Sequence, residues 1–325
     1  MKRFFRVLSL FVFLLLIAFT LFFVWASSPT MEEGQYEKLI TKEYSTTTDN
    51  DSIYSIVTYN IGYLSGMTNN RAIAKPKELF DKNLEIVKSE FKKVKADIIA
   101  FQEIDYASAR SYDVDQQDEI AKLGYNYIAE GTNWDETYVP FPYWPPSMHF
   151  GRMNSGQSVI SKYPIKEYKR IVLERVADAP FYRDALYIER LAQVTKVVIE
   201  DKEVVVINVH LEAFDKQTRV NQFNAVLELF NSYKNEYPTI LLGDFNSRAR
   251  DKEAIIQKMF ALNDVGNAAF NAGNPGNTFD TKNPVERIDY IFYTKKSIEY
   301  LDGKVLTQFG EASDHIPVEM HFKLR

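Results

Sequence analysis

The chain opens on an unbroken apolar run. Val7 to Ala26 (VLSLFVFLLLIAFTLFFVWA) holds twenty residues and no charge. At ~1.5 Å per residue a helix of that length spans roughly the ~30 Å hydrocarbon core of a bilayer. No polar face interrupts the run, so it does not read as the core helix of a soluble domain. Residues 1–30 are therefore expected to be a signal anchor. Residues 31–52 are rich in Ser, Thr and Glu without an apolar period and read as a tether. From residue 53 onward short apolar runs alternate with amphipathic stretches, and no repeat, low-complexity tract or interior linker divides them. Residues 53–325 are expected to form one domain.

Within it, Ile53–Tyr59 reads as a strand ending at Asn60-Ile61-Gly62. Pro76 opens a helix whose apolar positions Phe80, Leu84, Val87, Phe91 and Val94 recur at three- and four-residue spacing. Ile98–Phe101 reads as a short buried strand ending at Gln102-Glu103. Val194–Ile199 and Val204–Val209 flank Asp201-Lys202, a hairpin signal. Gln217–Tyr233 reads as a helix with Val220, Phe223, Leu227 and Phe230 on one face. Thr239–Leu242 reads as a strand ending at Gly243-Asp244-Phe245-Asn246. Ile288–Tyr293 and Pro317–Phe322 are late strands.

Charge adds a direction to the apolar run. Lys2, Arg3 and Arg6 precede it while Glu32 and Glu33 follow, so the N-terminus is expected in the cytoplasm and the domain outside it, on a single-pass anchor. The competing reading is a secreted protein released by signal cleavage. A signal peptide core is normally only ~7–15 residues and ends in an A-x-A-like site, which Trp25-Ala26-Ser27-Ser28 matches poorly. Without the three leading cations the chain holds 36 basic against 44 acidic residues, a net of −8. A broad electrostatic grip on nucleic acid is not evident. There is no cysteine, which excludes disulfides, thiolate metal sites and cysteine nucleophiles; a metal must be held by oxygen or imidazole.

One regularity bears on function. Asn60, Glu103, His210, Asp244 and Asn246 each fall at or just beyond the C-terminal end of an expected strand, Asp289 lies in one, and Asp314-His315 immediately precedes one. Polar residues at the strand rim of an α/β sheet are where sites are usually built.

The segments carrying these residues run in order: Thr58-Tyr59-Asn60-Ile61; Phe101-Gln102-Glu103; Ser155-Gly156-Gln157 with Ile160-Ser161-Lys162-Tyr163-Pro164-Ile165; Asn208-Val209-His210-Leu211; Gly243-Asp244-Phe245-Asn246; Arg287-Ile288-Asp289-Tyr290; and Ser313-Asp314-His315-Ile316-Pro317. Together they resemble the endonuclease/exonuclease/phosphatase family, which includes deoxyribonuclease-like and sphingomyelinase-like phosphoesterases. The resemblance implies a four-layer α/β sandwich, two face-to-face mixed β-sheets with helices on the outer faces, here preceded by one transmembrane helix. It implies metal-dependent hydrolysis of phosphodiester or phosphomonoester bonds, with Mg²⁺ as cofactor and Mn²⁺ able to substitute.

The chemistry asks for such residues. A phosphodiester is anionic, so water attacks it readily only when charge is neutralised and the nucleophile oriented. Glu103 is a hard oxygen ligand suited to Mg²⁺, and the family implies that Asn60 supports that metal. The family also implies that Asp244 orients or deprotonates the water while Asn246 holds the water or the phosphate. His315 resembles the family's essential histidine and Asp289 its partner carboxylate, which fixes the tautomer and raises the imidazole pKa. His210 resembles a second histidine that hydrogen-bonds phosphate. Asp314 either orients His315 or offers a further metal ligand. Arg190 resembles a basic position that approaches substrate phosphate in some members, with a surface salt bridge as the plain alternative. Arg219 and Gln222 look like the family's Arg-x-x-Gln and read as scaffold. His149 and His321 match no motif.

Trp134 to Phe150 (WDETYVPFPYWPPSMHF) is the stretch least like the family. It reads either as a substrate or membrane-interface loop, stiffened by proline, or as a satellite core folded back on the domain. Ser247-Arg248 after Gly243-Asp244-Phe245-Asn246 lacks the context of apurinic endonucleases, and Val285-Glu286-Arg287-Ile288-Asp289 lacks the signature of inositol polyphosphate phosphatases. The favoured substrate is a lipid headgroup or other extracytoplasmic phosphoester. An extracytoplasmic nuclease is the enzymatic alternative, and a non-catalytic binder of phosphorylated ligands the alternative from another class.

Overall fold

The computed structural model describes residues 1–48 and 51–325. Among the described residues, thirteen strands form two sheets. The first contains β1 (Glu37–Thr41), β2 (Tyr54–Asn60), β3 (Ile98–Asp105), β4 (Tyr127–Val139), β5 (Gly151–Ser161), β12 (Ile298–Val305) and β13 (Val318–Leu324), in the order β1-β4-β5-β3-β2-β13-β12. The second contains β6 (Ile165–Val172), β7 (Leu191–Ile199), β8 (Lys202–His210), β9 (Thr239–Asp244), β10 (Val265–Asn267) and β11 (Asp289–Thr294), in the order β10-β11-β9-β8-β7-β6. The helices are α1 (Lys2–Ala26), α2 (Lys77–Val94), α3 (Gln116–Ala121), α4 (Phe181–Asp184), α5 (Lys216–Tyr233) and α6 (Gln257–Phe260).

Strand alternation explains the layering. Along β2 and β3, Ile56, Ile98 and Ala100 point into the core between the sheets, while Val57, Tyr59, Ile99 and Phe101 point outward against Phe80, Leu84, Val87 and Phe91 of α2. Val204, Val206, Ile240 and Leu242 likewise face inward, and Val205, Ile207, Val209 and Leu241 face Phe223, Val226 and Phe230 of α5. Both faces of the central strands are buried, so their sequences read as continuous apolar runs. The rings of Tyr59, Phe101 and Phe309 lie 4.9–6.4 Å from that of Phe91. A buried Phe contributes roughly 1.5–3 kcal/mol by transfer, so this group fastens α2 to its sheet.

Two strand pairs are parallel, β2 with β3 and β8 with β9, and each is joined through a helix, α2 and α5 respectively. These two βαβ units aim the C-terminal ends of all four strands at one edge of the sandwich. The expected strands and helices fall within three residues of those seen, with four informative differences.

First, β3 runs past Phe101 through a register shift, and Glu103 sits in that bulge with φ of +52°. Bulges re-aim side chains, and this one turns Glu103 toward the cleft. Second, the tight turn before β8 is Glu200-Asp201, both at positive φ, one residue earlier than expected. Third, the buried stripe of α5 runs through Thr218, Gln222, Phe223, Val226 and Phe230 rather than Val220 and Leu227. Gln222 is inside because its Oε1 accepts from Glu212 N (2.8 Å) and its Nε2 donates to Glu174 O (2.7 Å). Fourth, the stretch expected as a tether lies against the domain. β1 pairs with β4, Lys42 reaches Asp118 at 2.7 Å, and the Met31 backbone N–H donates to Asp135 Oδ2 at 2.8 Å. Asp49 and Asn50 of that stretch lie outside the described residues.

α1 is a helix of 25 residues with a mean hydropathy of 3.0 over its most apolar window, long and apolar enough to cross a membrane. Its last turn rests on the domain through aromatic contacts described below.

Candidate active site

The cleft lies at the edge where the two βαβ units converge and has a volume of about 810 Å³. Register places its first residues. Asn60 pairs with Gln102 across β2 and β3, His210 with Asp244 across β8 and β9, and Asp244 with Asp289 across β9 and β11. The approach of β8 and β9 is so close at Gly243 (φ +135°) that a Cβ there would overlap the Val209 carbonyl. Beneath the cleft a buried polar network ties the sheets together. Gln102 Nε2 donates to Asn208 Oδ1 (2.6 Å), Asn208 Nδ2 to Gln193 Oε1 (2.9 Å), and Gln193 Nε2 to the Gln157 carbonyl (2.9 Å).

Asp244 is almost wholly buried. It accepts from Asn60 Nδ2 (3.0 Å) and from the Asn246 backbone N–H (2.8 Å). Asn246 sits at φ +46°, a conformation Asn tolerates, and its Nδ2 donates to the Leu211 carbonyl at 3.0 Å. Burial, then the charge on Asp289, push the Asp244 carboxyl up to about 7 against the pull of His315.

His315 Nδ1 lies 3.0 Å from Asp289 Oδ2, and its Nε2 lies 3.8 Å from Asp244 Oδ2. The ring is backed by Phe279, centroids 5.0 Å apart. Burial alone lowers the His315 pKa, but the charge and hydrogen bond of Asp289, helped by Asp244 and Asp314, hold it well above its usual value. The imidazolium form is favoured. His210 goes the other way. Burial, then Arg190 and His315, push its pKa well below the ordinary value, so it is neutral and accepts from Arg190 Nη1, which lies 2.8 Å from Nε2. Arg190 is itself mostly buried, with Nε 3.5 Å from Glu212 Oε2, and is no surface salt bridge.

The remaining corner is acidic. Asn69 Nδ2 lies 2.8 Å from Glu103 Oε2 and 3.3 and 3.4 Å from the two oxygens of Asp314. Burial and then the opposing charges of its surroundings act on Asp314; the net effect, with Glu103 adding to it, is a raised pKa. Asp314 thus stands beside Glu103, while the His315 ring donates from Nδ1 to Asp289. Two carboxylates converging on one amide donor suit a hard cation with oxygen ligands. A second group, Asp244, Asp289 and His315, also offers one donor atom each, all within 4.8 Å of one another. There, however, His315 Nδ1 is already engaged by Asp289. The Glu103–Asp314 corner fits a metal better.

All nine residues singled out in the sequence reach this cleft or the side chains that line it. Asn69 was not foreseen: it lies in a polar loop without period, and its partners are 34 and 245 residues away. Of the loop read two ways, Trp134, Val139, Phe141 and Phe150 form a small apolar cluster with Met153 that walls the cleft, whereas Tyr143 and Trp144 are exposed. His149 binds the Tyr138 hydroxyl (2.7 Å) and His321 binds Asp302 (2.8 Å), both away from the centre.

A two-sheet sandwich with carboxylates, asparagines and histidines gathered at its strand ends defines a phosphoesterase of metal-dependent type. The model of the endonuclease/exonuclease/phosphatase family matches residues 57–315, and the chain belongs to that family. Over 232 residues, 71% of this chain, it is 25% identical to the uncharacterized protein YbhP of Escherichia coli (strain K12), covering 85% of that protein. It is similar in fold to an endonuclease/exonuclease/phosphatase from Beutenbergia cavernae DSM 12333, with a TM-score of 0.61, 20% identity, and coverage of 84% of this chain and 72% of that one. It is also similar to TDP2 of D. rerio complexed with single strand DNA product, with a TM-score of 0.59, 16% identity, and coverage of 84% and 100%.

Proposed function

We propose that the chain is a membrane-anchored, Mg²⁺-dependent hydrolase of phosphoesters outside the cytoplasm, acting on a lipid headgroup. The observation that carries the catalytic part is the meeting, in one cleft, of the Glu103–Asp314 corner with the Asp289–His315 pair and the buried carboxylate of Asp244. Glu103 and Asp314 would hold the cation, with Asn60 supporting it and Asn69 spacing the two carboxylates. When bound, Mg²⁺ neutralises charge on the phosphoryl oxygens, and Mn²⁺ supplies the same chemistry.

Asp244 orients the attacking water and takes its proton; a carboxyl pushed up to about 7 is matched to that task near neutral pH. The water oxygen bonds phosphorus as the bond to the leaving oxygen breaks. His315, charged and held by Asp289, donates from Nε2 to a phosphoryl oxygen or the departing one. Asn246 holds the water or the phosphate. His210 is neutral and backed by Arg190, so together they present a donor and a fixed positive charge to the substrate.

The lipid assignment is supported by the apolar wall of the cleft, which includes Trp134, Val139, Phe141, Phe150, Leu186 and Ile188. The span and orientation of α1 are supported by its length and by Lys2, Arg3 and Arg6 ahead of it. A nuclease is the second reading, favoured by Lys216, Arg219 and Arg248 along the same cleft and by the DNA product bound to the D. rerio relative. The full chain in detergent with Mg²⁺ decides between them, given phospholipid micelles and plasmid in parallel. Release of headgroup phosphate supports the lipid reading and nicking of plasmid the nuclease. Hydrolysis of neither, nor of a soluble phosphodiester, overturns the phosphoesterase reading.

A further inference from the structure

The last turn of α1 is not free of the catalytic domain. Phe22 and Trp25 lie 6.0 and 5.8 Å from the Tyr138 ring, Trp25 stacked on it, and Phe23 meets Phe181 edge-on at 5.7 Å. Tyr138 stands near the end of β4, where the chain enters the loop over 140–150, and Phe181 begins α4. Both segments continue into side chains that wall the cleft, Phe141 and Tyr143 from the first and Tyr182 and Leu186 from the second. They also carry unusual exposure. Beyond α1, from Ser27 onward, the four most exposed large apolar side chains among the described residues are Phe214 (92%), Trp144 (80%), Tyr143 (76%) and Phe181 (75%). Two of them, Phe214 and Tyr143, line the cleft, and the other two adjoin cleft residues.

Helix length fixes the depth of this surface. Val7–Ala26 extends about 30 Å, the thickness of the hydrocarbon core, so Phe22 to Trp25 lie within one turn of the lipid–water boundary. Side chains packed against that turn fall in the headgroup zone, where Trp and Tyr are favoured. Clustered exposed aromatics in open water mark an interaction surface, and here the chain's own helix sets which surface faces them. The net charge of −8 that the chain carries beyond its leading cations provides no polybasic attraction, so the contact is aromatic.

We propose that segments 138–150 and 181–182 are seated in the headgroup layer of the bilayer that holds α1, with Trp144 and Phe181 inserted. The cleft then opens at the lipid surface and takes phosphoesters carried by membrane lipids. This rests on the phosphoesterase reading for the substrate, but the surface itself is testable without turnover.

The cysteine-free chain allows single-site labelling. Full-length Trp144→Cys and Leu301→Cys, each carrying an environment-sensitive fluorophore, are reconstituted in phosphatidylcholine vesicles containing lipid spin-labelled at the headgroup or upper acyl chain. Position 144 is expected to be quenched several-fold more than position 301, which lies on β12. Equal quenching, or none at 144, overturns the proposal, and so does protection of 144 by a second copy of the chain. Separately, Trp144→Ser/Phe181→Ser is expected to lose tenfold or more of turnover on vesicle phospholipid while hydrolysing bis(p-nitrophenyl) phosphate as the parent does. Equal loss on both probes shows damage to the fold or cleft and counts against the surface. A parent chain that hydrolyses neither probe overturns the phosphoesterase reading alone, and quenching still decides the surface.

Discussion

Asp244 and Asp289 stand directly opposite each other across the antiparallel β9–β11 pair, both buried. The His315 ring closes over the two, 3.0 Å from Asp289 and 3.8 Å from Asp244. Opposed carboxylates on neighbouring strands repel, and one imidazolium serves both. This explains why the histidine is held charged and why the Asp244 carboxyl is pushed up.

Asp244→Asn is expected to abolish turnover and yet stabilise the metal-free protein at alkaline pH. Burial, then Asp289, raise the Asp244 pKa to about 7 in the folded chain, against about 4 when unfolded. The native state therefore holds an extra proton between those values, and stability falls as pH rises from about 4 through about 7. His315, whose raised pKa is due to its carboxylate partners despite burial, slopes the same way, its stabilisation lost as pH climbs through its folded value. Thermal melting of the chelated full chain should drop from pH 5 to pH 8. Asp244→Asn should show a shallower drop and melt a few degrees higher at pH 8. A variant that melts lower at pH 8 than its parent refutes the assigned cost of that carboxylate.

His315→Ala and Asp289→Asn should both depress turnover, the histidine change more severely, by about 10²–10⁴-fold as for other acid–base groups. His315 reaches the reacting group, whereas Asp289 acts through it by setting tautomer and charge. The double variant should be little worse than His315→Ala alone, because residues acting as a unit are not additive. Kinetics with a soluble phosphodiester measure this. A double variant that loses the product of the two single effects shows that they act independently.

The buried strands were legible because both faces of each are apolar, and the two helices because α2 and α5 each pack a periodic stripe on a sheet. The residues of the centre were legible through short ordered motifs at strand ends. What the sequence hid was geometry that depends on distant partners. Glu103 reads as a strand-end residue, and only the register of β3 against β5 shows the bulge that re-aims it. β1 was hidden because its five residues alternate in exposure at a sheet edge and gain stability from pairing with β4 rather than from their own pattern. Gln222 reads as scaffold, but that the backbone groups of Glu212 and Glu174 hold it inside depends on two distant loops.

Topology offers a clean test, since the chain has no native thiol. Ser52→Cys lies at an exposed position before β2, and Lys2→Cys precedes the span. In intact cells a membrane-impermeant maleimide should label the first and spare the second, and the labelled protein should stay in the membrane fraction. Recovery of a soluble chain starting near Ser27 shows cleavage and removes the anchor.

Asn69 should govern metal affinity rather than the chemical step. Its single amide nitrogen donates to Glu103 and reaches Asp314, so it holds two like charges at the spacing a cation needs. Exhaustive chelation should abolish activity, with Mg²⁺ or Mn²⁺ restoring it. Glu103→Gln exchanges a charged hard ligand for a neutral one and should lose most activity at any Mg²⁺ concentration. Asn69→Ala removes only the supporting donor. Losses of 10–100-fold in affinity are usual when such a partner is removed, so its half-saturating Mg²⁺ should rise by about that factor while turnover at saturation stays near that of the parent. Titration of activity against free Mg²⁺ separates the two effects. An unchanged Mg²⁺ dependence with a lowered plateau would place Asn69 against the substrate instead of behind the metal.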